Sequence, residues 1–246
     1  MASPSPTQFS AALVLLCLLV FSFSTTTSSS KVAVAVAVAV APPQVNEHTI
    51  SKSSVAASVE KVSLTVYYSS ESVRSANFIA YNLMKILENG LIDFVDLKLV
   101  PFGKSRLLKN GTILCERGSK ECELNRLQAC AMNVIPGAYN YYYPFIYCTE
   151  VIVSEGKTTE DWLQCLEVGN QYKDSIYKCF TNGLGEKLQL HNAKVTASLN
   201  PHLEFVPWVT VNDLPIRHDT RNFIRYVCKA YRRGAVPYAC RGEIRS

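Results

Sequence analysis

No two of the nine cysteines stand two to four residues apart. That absence leaves the chain without a C-x-x-C dithiol and without the close cysteine pairs of a zinc knuckle. Histidine is scarce as well. His48, His191, His202 and His218 show no metal-like spacing, so they are read as structural or surface residues, and no metal or other cofactor is expected. Basic and aromatic residues nowhere interleave as they do on nucleic-acid-binding surfaces, which argues against a nucleic-acid partner. Lys and Arg are missing from the first ten residues, and no apolar run is long enough to cross a bilayer comfortably.

The longest such run, Ala11 to Phe23, followed by the polar stretch Ser24 to Ser30, has the order of a secretory signal, expected over residues 1–30. Its positive charge rests on the amino terminus alone, and no small-x-small motif marks the cleavage site. Lys31 to Ala41 alternates Val and Ala with no cross-strand partner in view, and Pro42-Pro43 ends it. Residues 31–60 are expected to be a low-complexity linker or pro-region, because an exposed strand of that composition invites β-aggregation. The folded domain is expected over 61–246.

Loss of the signal takes Cys17 with it and leaves Cys115, Cys122, Cys130, Cys148, Cys165, Cys179, Cys228 and Cys240. An even number in an oxidising lumen favours structural disulfides, although eight cysteines allow about 105 pairings. Asn110-Gly111-Thr112 is a glycosylation sequon consistent with a surface loop. These features point to the secretory pathway, with the vacuole or lysosome and the extracellular space as destinations. The chain carries a formal net charge of +5, and Arg217, Arg221, Arg225, Lys229, Arg232, Arg233, Arg241 and Arg245 crowd its end. We read them as the solvated face of a helix whose apolar stripe is Phe223, Ile224, Val227 and Tyr231.

Val62, Leu64, Val66 and Tyr68 alternate with polar or smaller neighbours as in a strand. Ile79, Leu83, Ile86 and Leu87 then recur at helical spacing, Asn89-Gly90 stops the helix, and Val95, Leu97 and Leu99 alternate again. Such a βαβ unit makes its two strands parallel. Near the end, Val209-Thr210-Val211 runs into the turn residues Asn212-Asp213, and a helix is expected over Asp219 to Tyr231. A βαβ start and a ββα finish give an α/β, thioredoxin-like fold. Phe102 to Leu203, with six of the eight cysteines, reads as a disulfide-stapled helical insertion.

Cys115-Glu116-Arg117-Gly118-Ser119-Lys120-Glu121-Cys122, with Asn125 and Cys130, resembles the C-Q-H-G-x-x-E-C-x-x-N-x-x-x-x-C signature of the gamma-interferon-inducible lysosomal thiol reductase family. Glu116 and Arg117 replace the family's Gln and His. Pro144 to Cys148, Thr196 with Leu199, Pro201 and His202, Val206 to Val211, and Val227 to Tyr231 are similar to plant members. The resemblance implies a lumenal oxidoreductase that reduces protein disulfides through a C-x-x-C opening the first helix. The family's Y-Y-E-S-L-C-P-x-C-A-N-F is here Tyr67 to Phe78, with Ser72 and Ser75 at the two cysteine positions and Val73 at the proline.

A serine hydroxyl forms no disulfide and does not ionise at lumenal pH, so both steps of thiol exchange are lost. No recognisable Ser/His/Asp arrangement offers Ser72 a general base. Ser72 and Ser75 are instead expected to cap the first helix. Val206-Pro207 matches the family's substrate-facing proline, and the resemblance implies a cis bond there and backbone contact with extended peptide. The leading expectation is a redox-inactive module that binds extended peptide or a lumenal protein. An oxidoreductase that uses another cysteine pair and a purely structural secreted glycoprotein are the alternatives. Tyr139 to Tyr147 is expected to pack in the core, with a binding surface near Val206-Pro207 as the second option.

Overall fold

Strand β1 (Val62–Tyr68) pairs on both edges, and the sheet is built outward from it. A computed structural model describes residues 61–137, 139–157, 161–232 and 234–243; the signal read over 1–30 and the low-complexity stretch 31–60 lie outside the described residues. On one edge β2 (Val95–Pro101) runs parallel to β1, from Val62 opposite Val95 to Tyr68 opposite Pro101. On the other edge β5 (Trp208–Val211) runs antiparallel, with Leu64 opposite Val211 and Tyr67 opposite Trp208. The short strand β6 (Leu214–Pro215) completes the order β2-β1-β5-β6. A parallel βαβ half and an antiparallel ββα half around a shared central strand make the thioredoxin-like fold.

The β1 alternation does not mark one wet face, since Thr65 and Tyr67 are buried as well as Leu64, Val66 and Tyr68. Both faces are covered. On one lie the helical segment after β1 and α7 (Phe223–Ala230), joined by the edge-on rings of Phe78 and Phe223 with centroids 5.4 Å apart. On the other, Tyr67, Val100 and Trp208 pack under Val195, Leu199, Leu203 and Phe205. The β5–β6 turn is made by Asn212 and Asp213 at φ 46° and 63°, the left-handed conformation these residues tolerate best.

The first helical segment comprises α1 (Val73–Asn77), a π-helical turn (Phe78–Leu83) and α2 (Met84–Glu88). Between β2 and β5 comes the insertion. It holds a small hairpin, β3 (Arg106–Leu107) and β4 (Ile113–Leu114), and the helices α3 (Ser119–Val134), α4 (Tyr139–Ser154), α5 (Lys173–Thr181) and α6 (Leu184–Ala197). All eight cysteines of the domain are paired. Cys130 of α3 joins Cys179 of α5, Cys148 of α4 joins Cys165, Cys115 joins Cys122 before α3, and Cys228 of α7 joins Cys240. The α3–α6 contact is tight, because a Cβ on Gly185 would lie 2.6 Å from Cγ of Arg126 and 3.3 Å from Sγ of Cys130.

The Cys130–Cys179 bridge spans 49 residues and ties two helices that also meet through the Arg126 guanidinium over the Phe180 ring, 4.3 Å from its centroid. Replacing both cysteines by serine is expected to lower unfolding stability by roughly 2–4 kcal/mol in urea titrations, the usual range for such a loop.

Candidate functional site

The turn Ser69 to Ser72 launches the first helix from the end of β1, and it is dry: all its residues but the half-buried Glu71 are buried. A buried backbone N–H must find a partner. Ser70 N–H donates to Oδ1 of Asn125 at 3.1 Å, across from α3, and Ser72 N–H donates to the Ser69 carbonyl at 3.0 Å. Glu121, one turn before Asn125, is buried and accepts from the Arg117 N–H at 2.6 Å, closing the loop that the Cys115–Cys122 disulfide also closes. Glu121, Asn125 and the Cys115–Cys122 bridge of the signature thus form a brace under the turn. From the other side Gly103, at φ 58°, lies so close that a Cβ there would sit 2.7 Å from Cβ of Ser69.

Ser72 caps α1 as expected, its Oγ accepting from the Ser75 N–H at 3.4 Å, a long and weak bond. Ser75 does not cap. It is 0% exposed, and its hydroxyl has no hydrogen-bond partner among the described residues. Leaving a hydroxyl unpaired out of water costs about 1–3 kcal/mol. A thiol, a weak donor that behaves as a small apolar group, would meet no such cost in the same place.

Val206-Pro207 is a cis peptide bond, as is Asn200-Pro201, which sequence reading did not anticipate. Pro207 shares one groove of about 430 Å³ with Val73 and Arg74, the two residues between the serines, and with Asn77, Phe78, Asn82, Thr220 and Arg221. Among the described residues no histidine lines it, so Ser72 finds no general base there. His191, His202 and His218 are all exposed, and His218 stacks on Phe205 at 4.2 Å. Asn110 is exposed too, in a turn where its Oδ1 accepts from the Thr112 N–H. The tyrosine-rich stretch forms the start of α4. Tyr143 is core, donating to the Ile79 carbonyl at 2.6 Å, and Tyr143 and Tyr147 also wall a separate apolar groove of about 840 Å³ with Met84, Leu87 and Ile152. Neither Pro207 nor the serine turn lines that groove, so the stretch contributes nothing to a surface at Val206-Pro207.

Sequence reading missed a buried polar chain directly behind the turn. Tyr68 donates to Oε1 of Gln128 at 2.9 Å, and the Gln128 amide donates to Thr149 Oγ1 at 2.8 Å and to Glu150 Oε1 at 2.6 Å. Glu150 is 0% exposed, and its second oxygen has no partner. Burial raises its pKa to about 8, against the lowering effect of the Gln128 amide. The same burial, with Glu150 nearby, pushes the Tyr68 phenol well above its usual range. A polar residue four positions after Leu124 and after Ile146 was the available signal.

The family described as "Gamma interferon inducible lysosomal thiol reductase (GILT)" matches residues 63–168. An Arabidopsis thaliana relative, "Gamma-interferon-responsive lysosomal thiol protein", is 35% identical over 78% of this chain and 81% of its own length. The "Gamma-interferon-inducible lysosomal thiol reductase" of Carassius auratus is 30% identical over 73% of this chain and 72% of its own. Among solved structures, DsbA of Chlamydia trachomatis superposes with a TM-score of 0.50 at 14% identity, over 76% of this chain and 96% of that one, a likeness of fold.

Two outcomes follow from this geometry. Asn125→Ala orphans the buried Ser70 N–H and is expected to cost about 1–3 kcal/mol of stability, with amide exchange fastest at Ser69 to Ser72. Because the folded pKa of Glu150 lies near 8 against an ordinary 4.5, the folded chain keeps a proton that the unfolded chain releases between those values. Stability is therefore full below pH 4.5 and falls as the pH rises to about 8. Glu150→Gln removes that ionisation and is expected to flatten the fall in urea melts across this range.

Proposed function

The chain belongs to the gamma interferon inducible lysosomal thiol reductase family, and on that premise we propose that it is a redox-silent member which holds extended peptide without exchanging disulfides. One observation carries the reading: Val73 and Arg74, between Ser72 and Ser75, share a groove with the cis Pro207. That juxtaposition supports reading the site as a thiol-exchange scaffold whose two sulfurs are replaced by the buried Ser72 and Ser75. Exchange needs a thiolate to attack a disulfide sulfur and a second thiol to resolve the mixed disulfide, and neither serine supplies one. What remains is an open groove beside the cis Pro207, which suits an extended chain. A lysosomal setting, which the relatives' names carry, fits a core that holds Glu150 as a neutral acid. No helix among the described residues is long and apolar enough to cross a membrane. We place the protein in a lysosome-like or vacuolar compartment or outside the cell, with the exposed Asn110 as its glycan site.

A second reading has an observation of its own. Cys122 is half-exposed, and with Cys115 it lines a groove of about 500 Å³ beside Ile113, Arg126 and Gln189. In that reading Cys115–Cys122 is a labile pair that takes over exchange.

Reduction of insulin by the mature protein, with a thiol donor present, separates the readings. The proposal expects turnover no higher than the heat-killed control, with no cysteine labelled after mild reduction. The rival expects turnover that Cys115→Ser abolishes. Ser72→Cys with Ser75→Cys is expected to restore reductase activity and, by replacing the unpaired Ser75 hydroxyl, to leave stability equal or higher.

A further inference from the structure

We propose that the groove between α1 and Pro207 selects extended peptide bearing acidic side chains, read by Arg74 and Arg221. The inference rests on the peptide-binding reading above and adds the chemistry of the ligand.

Arg74 and Arg221 are both exposed, and both line the groove. They come from different elements, Arg74 from α1 and Arg221 from the segment leading into α7, so two separate parts of the chain bring positive charge to the groove. Among the described residues that line it there is no carboxylate; the other polar members are Asn77, Asn82 and Thr220. Neither guanidinium has an ion pair or a side-chain hydrogen bond within the described residues. Several other cations of the surface are paired instead. Lys104 and Arg117 meet Glu116, Arg126 meets Glu186, Lys157 meets Glu155 and Lys173 meets Glu167.

The acids nearest in sequence do not answer the two arginines. Asp219 has both oxygens occupied, by the Asn222 amide at 2.6 Å and the Tyr226 hydroxyl at 2.9 Å. Glu71 lies half-buried on the side of Glu121, Lys120 and Arg117, where burial and Glu121 raise its pKa. An arginine fork matches a carboxylate in two parallel hydrogen bonds, and the amides of Asn77 and Asn82 add donors between the forks. A neutral or basic peptide would leave both guanidinium groups unanswered or repelled. Charge arranged this way selects partners and speeds encounter more than it adds raw affinity.

The test measures fluorescence anisotropy with a labelled peptide of alternating Asp and Ser, and with the same peptide carrying Asn for each Asp. The Asp peptide is expected to bind about 10-fold more tightly at low ionic strength, with the difference shrinking at high salt. Arg74→Ala with Arg221→Ala is expected to abolish the difference, while Lys178→Ala, an exposed lysine on α5, leaves it unchanged. The substituted arginines are exposed, and an unchanged far-UV spectrum and urea midpoint verify the fold of the double variant. Equal affinity for the two peptides overturns the charge selection and leaves the peptide-binding reading standing. No affinity for either peptide overturns both, as does capture of heparin alone through these arginines. An acidic preference that survives in the double variant overturns the assignment to Arg74 and Arg221.

Discussion

The backbone N–H of Ser70 has to be satisfied in a place that water does not reach, and the rest of the site is arranged around that requirement. Its partner is a side chain from a helix 55 residues further along the chain. Through Asn125 the insertion is not an ornament on the sheet but the support of the turn that starts the first helix. Glu121 and the Cys115–Cys122 bridge fix the start of α3, α3 places Asn125, and Asn125 fixes the turn. This explains how a signature associated with thiol chemistry can persist beside two serines: its visible work here is mechanical.

Much of the sheet was legible, because alternation in Val62 to Tyr68 and in Val95 to Leu99, and a turn at Asn212-Asp213, are local signals. What alternation could not tell is that the second face of β1 is also covered, since Thr65 and Tyr67 are both buried, Tyr67 under residues from α6 and the segment before β5. The π-helical turn at Phe78–Leu83 was equally hidden, for its apolar spacing differs little from that of an ordinary helix. Disulfide pairing depends on which helices lie side by side, so Cys130 with Cys179 was one choice among many until α3 and α5 were placed. The same holds for Ser75. Serine at a helix start suggests a cap, but the direction of its side chain is set by tertiary packing.

The Ser75 hydroxyl and the second oxygen of Glu150 are among the buried polar atoms that the described residues leave without a hydrogen-bond partner. They differ in kind. Glu150 can shed its burden by keeping a proton, and the amide of Gln128 then holds a neutral acid in a chain that reaches Tyr68 at the end of β1. Ser75 has no such escape, and its hydroxyl simply remains unpaired. A buried serine can therefore occupy a place in the packing that an apolar side chain of the same size would fill at less cost.

The placement of the four bridges bears on how the molecule withstands digestion. Each one closes a stretch of chain within the domain: a single cut between Ser154 and Asp161 falls inside the span joined by Cys148 and Cys165, and also inside the longer span joined by Cys130 and Cys179. Such a nick separates no fragment, because both new ends stay tethered to helices that remain packed. In a compartment rich in hydrolases the domain can be scarred in its loops and still keep its pieces together.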